Sequence, residues 1–153
     1  MKFVATEEIA APMDVVWRRV TDFDGFEARI SARAGSVTRT PQGPVTPATT
    51  WVGQVEFNGK TRKANVSILS LDAPGHHLEM EAQTNGMAIT VDVALVTVSA
   101  TRTRMTVTTD AKARTLAARL ILQSAKLGRQ VLAKRYKTRI ATFARNVETG
   151  AAA

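Results

Sequence analysis

The sequence predicts an α+β fold: a curved antiparallel sheet of six to seven strands, two short helices after the first strand, and one long C-terminal helix packed over the sheet. Three observations predict it. Asn58-Gly59 and Asn85-Gly86 each separate runs of strand-forming residues, a strong short-range hairpin signal. A strand-like opening ends at Pro12 and passes into apolar residues at helical spacing. From Lys112 to Val147 there is no proline, and Ala, Leu, Arg, Lys and Gln dominate.

Lys2 to Ala10 reads as a strand that Pro12 ends. Pro12 suits the start of a helix, and Asp14 complements its first turn. Val15, Val16, Trp17 and Val20 give that helix about two turns. Thr21 to Gly25 breaks it, Phe26 to Ser31 forms a second short helix, and a strand follows over Arg33–Arg39. Pro41, Gly43, Pro44 and Pro47 make Thr40–Thr49 a loop placed as a lid or rim. Thr50–Phe57, Lys60–Leu71, His77–Gln83, Met87–Ser99 and Thr101–Asp110 then read as consecutive strands. The C-terminal stretch predicts a single amphipathic helix of about 30 residues. Its core stripe is Ile121, Ala125, Gly128, Leu132, Tyr136, Ile140, Phe143 and Val147. The domain spans 1–149, with 150–153 as a frayed tail.

The chain has 153 residues, enough for one domain and too few for two ordinary ones. No apolar run reaches membrane-span length, and the N-terminus lacks the apolar stretch of a secretory signal, so a cytoplasmic protein is expected. Cysteine is absent, which removes disulfides, thiolate metal sites and cysteine nucleophiles. The only histidines, His76 and His77, are adjacent. Strand neighbours point to opposite faces, so the pair does not readily share a metal; this argues against a zinc site or a histidine-based triad, and no metal or cofactor is expected.

The net charge of +8 is unevenly placed. Residues 111–153 carry ten Lys and Arg and one acid, Glu148, whereas residues 1–110 carry eleven bases and twelve acids. Such asymmetry suggests an anionic partner. Arg119, Lys126, Lys134, Lys137 and Arg145 cluster on the polar face of the helix. Leu116, Leu120, Leu127 and Val131 lie between that face and the core stripe, so the apolar arc is too wide for one buried face. Cations beside an apolar strip suit an anionic lipid surface, and the strip also makes a homodimer an alternative to a monomer.

Ile9-Ala10-Ala11-Pro12, followed by Val16-Trp17, Val20, Asp22 and Phe23, resembles the opening of the START-like (SRPBCC) superfamily; Thr50-Trp51-Val52-Gly53 is similar to its third-strand entry. That group includes birch-pollen-allergen-like proteins, polyketide cyclases and dehydratases, and lipid carriers. The resemblance covers nearly the whole chain and implies the helix-grip fold, with a cavity between sheet and long helix. It does not imply one function, because members differ in what enters the cavity.

Strand alternation directs Val55, Phe57, Val66, Ile68, Met80, Met87, Ile89, Val91, Val93, Met105 and Val107 inward, and the helix adds Ile121, Gly128, Leu132 and Tyr136. This lining is aliphatic and methionine-rich, suited to a flexible hydrocarbon. Glu7, Asp22, Glu56, Asp92 and Tyr136 are the polar candidates for catalysis; none forms a pair at useful spacing, and none stands out as a general base. The leading expectation is therefore a carrier of a lipid, isoprenoid quinone or polyketide-like molecule that docks on anionic membranes. The alternatives are a cyclase or dehydratase, and a ribosome-, RNA- or protein-associated module. The second meets an objection: no base-reading module is present and aromatics are few.

Overall fold

The computed structural model describes residues 1–57 and 59–151, with the side chains of Ala34, Val55 and Phe57 left aside. Its elements run β1 (Lys2–Ile9), α1 (Met13–Val20), α2 (Phe23–Ala34), β2 (Val37–Thr40), β3 (Thr50–Phe57), β4 (Lys60–Asp72), β5 (His77–Thr84), β6 (Met87–Ser99), β7 (Arg102–Ala113), α3 (Leu116–Leu127) and α4 (Arg129–Thr149). The seven strands form one antiparallel sheet in the order β1-β7-β6-β5-β4-β3-β2. Apart from β1, every strand pairs with its sequence neighbour, as a meander requires. β1 closes against β7 at the far edge. This is the helix-grip architecture.

Register follows the alternation. Leu78, Met80 and Ala82 of β5 oppose Val93, Val91 and Ile89 of β6, so all six side chains share one face. Val93 and Leu95 oppose Val107 and Met105 of β7 on that same face. A bulge between Ile68 and Ser70 restores the register of β4, leaving Leu69 half exposed while Ile68 and Leu71 oppose Met80 and Leu78. The Asn85-Gly86 turn has positive φ at both residues (52° and 74°), as a two-residue hairpin of this twist demands. A Cβ at Gly86 would meet Thr115 Oγ1 at 2.4 Å, so this turn also accepts the approach of the segment entering α3.

Several elements differ from expectation, each for a local reason. The Asp22 carboxylate accepts the Gly25 N–H (3.1 Å), so α2 starts at Phe23 and runs to Ala34, longer than the expected Phe26–Ser31. That extension shortens β2 to Val37–Thr40. The ladder of β7 persists to Ala113, opposite Met87, and Thr115 caps α3 by accepting the Ala118 N–H; helix therefore begins at Leu116 rather than Lys112. The single long helix is two helices. Gly128 ends α3 with φ −105° and ψ 23°, and α4 starts at Arg129. A Cβ at Gly128 would meet only Ala125 O, at 3.9 Å. The glycine is exposed, and neither a strand nor a bulky side chain crowds it.

The core lies at one end of the sheet. Ile9, Val16, Val20, Leu78, Val93, Leu95, Met105 and Val107 pack with Ala144 and Val147 from the last turns of α4. Ile9 and Val16 are fully buried. Thr103, also fully buried, donates its hydroxyl to Ala11 O (2.9 Å), which ties β7 to the proline turn. In contrast, α3 buries only Ala118.

Glu148 fastens α4 to the start of the chain. Its Oε2 accepts the Ala10 N–H (2.8 Å) and its Oε1 accepts from Arg145 (3.1 Å). The backbone hydrogen bond, helped by Arg145, holds this carboxyl below the usual carboxylate range. A group depressed in the folded state stabilises the fold above its unfolded pKa, and that contribution is lost as pH falls through the folded value. Glu148→Ala should cost about 1–2 kcal/mol near neutral pH. Thermal melts of both proteins should show the gap closing in acid, below about pH 4.

Candidate functional site

An apolar cavity of about 380 Å³ lies between the sheet and the helices. Its floor is Val66 of β4, Leu78, Met80 and Ala82 of β5, Ile89, Val91 and Val93 of β6, and Met105 and Val107 of β7. α1 and α2 add Val20 and Phe26, and α4 adds Ile140 and Phe143. Every side chain in this lining is a hydrocarbon, an aromatic ring or a thioether. The sheet side follows from strand alternation; the helical side follows from i,i+4 spacing, since Ile140 and Phe143 lie one turn before the core residues Ala144 and Val147, and Val20 lies one turn after Val16.

Of the residues expected at the cavity, Val66, Met80, Ile89, Val91, Val93, Met105 and Val107 are brought together there. Val55 and Phe57 lie outside the described side chains. Ile68 is buried but does not line the cavity, and Met87, near the β5–β6 hairpin, does not reach it. Ile121, Gly128, Leu132 and Tyr136 also lie elsewhere. Gly128 borders a surface groove with Leu127 and Val131. Tyr136 faces the seam between α4 and the β1–β7 edge. Its hydroxyl donates to Val107 O (3.0 Å) and pairs with Thr109 Oγ1 (3.0 Å), and its ring lies 5.6 Å from that of Phe3. Burial pushes the phenol pKa up, against the opposing Thr109 bond. The tyrosine is thus a tether with its polar atom occupied.

Val20, Phe26, Ile140 and Phe143 are cavity residues that sequence reasoning places in a helix or the core stripe without assigning them to the cavity, and Leu78 and Ala82 are lining residues of β5 that it does not assign there either. Their apolar spacing is legible. The position of Ile140 and Phe143 over the floor depends on where α4, a helix of its own from Arg129, crosses the sheet.

The other polar candidates do not converge. Glu7 sits on β1 opposite Met105 and does not line the cavity. Glu56 is exposed on β3. Asp92 opposes Glu79 on the face of the sheet turned away from the helices. Asp22, the α2 cap, borders a second, more polar cleft of about 390 Å³ with Trp17, Arg39 and Val45.

Residues 1–148 match the family described as polyketide cyclase/dehydrase and lipid transport. The chain belongs to that family. No curated protein matches it by sequence. Among solved structures, it is similar to the Zhui aromatase/cyclase from Streptomyces sp. R1128, at 19% identity and a TM-score of 0.66 over 95% of this chain and 94% of that one. A protein from Thermus thermophilus gives 13% identity and a TM-score of 0.66 over 98% and 99%. A START superfamily protein from Mycobacterium smegmatis gives 16% and 0.56 over 92% and 97%. At these identities the structural likeness speaks for the fold. The family supports a hydrophobic-ligand-binding or cyclase-like protein, and no described helix is long and apolar enough to cross a membrane.

A polar knot, together with Phe23 packed against the core and Trp51, places α2 and with it Phe26. Glu27 Oε1 accepts from both Arg39 Nε and the Trp51 indole N–H, each at 2.6 Å. Arg39 also donates to Asp24 (2.6 Å) and to Gly43 O (2.7 Å), so one side chain joins α2, β2 and the loop beyond β2. Trp51 is buried and Arg39 nearly so. Glu27→Ala leaves both donors without this acceptor and should cost about 2 kcal/mol in denaturant unfolding. Phe26→Ala should leave this knot intact and cost less.

Proposed function

We propose that the protein binds and carries a hydrophobic small molecule in the cavity between its sheet and α4, and that α3 docks it on anionic membranes. The observation that carries the first part is the uniformly apolar wall. Such a wall stabilises a ligand by removing its hydrocarbon surface from water, at roughly 25 cal/mol per Å² buried. Cyclisation or dehydration needs a group to orient a carbonyl or move a proton. The residues around this cavity are suited to neither task, which favours binding and release. Its volume falls in the lower range of small-molecule sites. Met80 and Met105 let the wall adapt to a flexible chain such as an acyl or isoprenoid group.

The docking part is supported by α3. Leu116, Leu120 and Leu127 are 74%, 59% and 91% exposed, and their spacing puts them in one stripe. Arg119 and Lys126 are exposed beside it, and α3 contains no acid. Leucines that enter the acyl boundary and flanking cations that meet lipid phosphates are the two terms of peripheral binding. Lys134, Lys137 and Arg145 are exposed on α4, beyond the break at Gly128, and Arg145 is already paired with Glu148. The stripe and its two cations on α3 are therefore the docking element, and the α4 cations add long-range attraction.

Native mass spectrometry of freshly purified protein, followed by organic extraction, tests the cavity. A discrete adduct that extracts as a lipid or quinone is expected. Bare mass, together with failure of fatty acids and isoprenoid quinones to displace an anilinonaphthalene sulfonate probe, would overturn this reading. Val91→Trp, which places an indole inside the cavity, should weaken probe binding by at least about tenfold while the fold persists.

Liposome flotation tests the docking separately. Binding to phosphatidylglycerol-containing vesicles should exceed binding to neutral ones and fall with salt. It should drop most in a variant combining Leu120→Ser with Leu127→Ser. Equal binding to neutral and anionic vesicles would remove this part and leave the cavity reading untouched.

A further inference from the structure

The face of the sheet turned away from the cavity carries a cluster that does not line it. His77 and Glu79 are alternate residues of β5, and Asp92 of β6 stands directly opposite Glu79. One donor atom from each of the three lies within 4.8 Å of the others. From this geometry we infer a binding site for one divalent first-row transition-metal ion, held by His77 Nε2, Glu79 and Asp92.

Four features support it. First, Glu79 and Asp92 are like charges paired directly across two strands, an arrangement that costs energy unless a cation offsets it. Among the described residues no Lys or Arg forms an ion pair with either; Asp92 pairs only with His77. Second, the histidine is already aimed. Its Nε2 donates to Asp92 Oδ2 at 2.6 Å, and its Nδ1 contacts Ser70 Oγ at 3.3 Å. A ring held through one nitrogen, with the other turned to carboxylates, is the outer-shell arrangement of metal-binding histidines. A metal would take the place of the proton shared between Nε2 and Oδ2. Third, the group is half-buried on two central strands, a rigid frame for ligands. Fourth, the spacing is within reach. Zinc takes nitrogen and carboxylate ligands at about 2.0–2.2 Å, which sets tetrahedral donors a little over 3 Å apart; small side-chain rotations close the cluster to that size.

The donor set selects the ion. One imidazole and two carboxylates suit Zn²⁺ and its neighbours, whereas Ca²⁺ and Mg²⁺ prefer oxygen alone. Three protein ligands leave a position for water. His76, by contrast, sits in the turn before β5 at φ 51°, with its ring edge-on to Trp17 at 5.6 Å. The divergence of the two histidines prevents them from sharing an ion, but it leaves His77 free to join carboxylates at alternate and cross-strand positions.

Zinc chloride titrated into the metal-free protein by isothermal calorimetry tests the site. Saturable binding of one Zn²⁺ per chain is expected, unaffected by His76→Ala and by excess Ca²⁺. His77→Ala and Glu79→Gln should each weaken it by at least about tenfold. Glu79→Gln is the more telling variant, because the Glu79 side chain makes no hydrogen bond among the described residues and its loss leaves the His77–Asp92 pair intact. Absence of saturable binding up to about 1 mM Zn²⁺ would overturn the inference. So would binding that survives both variants, or binding that His76→Ala weakens as much as His77→Ala does. Failure here bears only on the outer face and says nothing about the cavity.

Discussion

The last turns of α4 must lie over β1 and β7, and the rest of the structure follows from that contact. Ala144 and Val147 are small enough to bring the helix close to Ile9, Val16 and Met105. Glu148 then pins the helix end to the Ala10 backbone, and Tyr136 pins its middle to β7. With the helix held at these points, Ile140 and Phe143 are suspended above the sheet where β4, β5 and β6 curve beneath them. Large side chains at one level and small ones at another turn a packed core into a core with a cavity beside it.

The division of labour along the chain reflects the same constraint. The end of the sheet nearest α1 is filled by the buried side chains of Ile9, Val16 and Leu95. The cavity end is closed by α2, which depends on polar contacts through Glu27 and Arg39 rather than on deep packing. Segments held by few apolar contacts open at lower free energy than the core. A fold built this way holds the wall over the cavity with fewer buried side chains than its core. α3, which buries only Ala118, stands outside both regions and leaves Leu116, Leu120 and Leu127 in water.

Much of the fold was legible because strand and helix periods differ and turns are chemically marked. The β6 strand was placed at its observed bounds, Met87–Ser99, because its alternation is uninterrupted and Asn85-Gly86 marks its start. The inward face of β5, β6 and β7 was legible for the same reason, and it supplies much of the cavity floor. The helices were harder. Gly128 reads as a tolerated interior glycine in a wheel that continues smoothly on both sides, and only the tertiary path shows that the wheel stops there. Tyr136 and Leu132 belong to the apolar stripe, yet a stripe does not say which strand each turn will meet. The outer-face cluster was hidden in another way: His77, Glu79 and Asp92 come together only when strand pairing puts β5 beside β6 in one register.

By itself, the sequence determined which residues alternate, where the hairpins turn, that the C-terminal segment is basic and helical, and that an aliphatic face lines one side of the sheet. These are local properties, set by backbone sterics, turn chemistry and side-chain period. The tertiary structure alone decided where the helix breaks and crosses, which apolar side chains surround empty space instead of one another, and which polar side chains face each other across strands. Those depend on long-range packing, where a shift of one turn in α4 or one residue in register changes every neighbour at once.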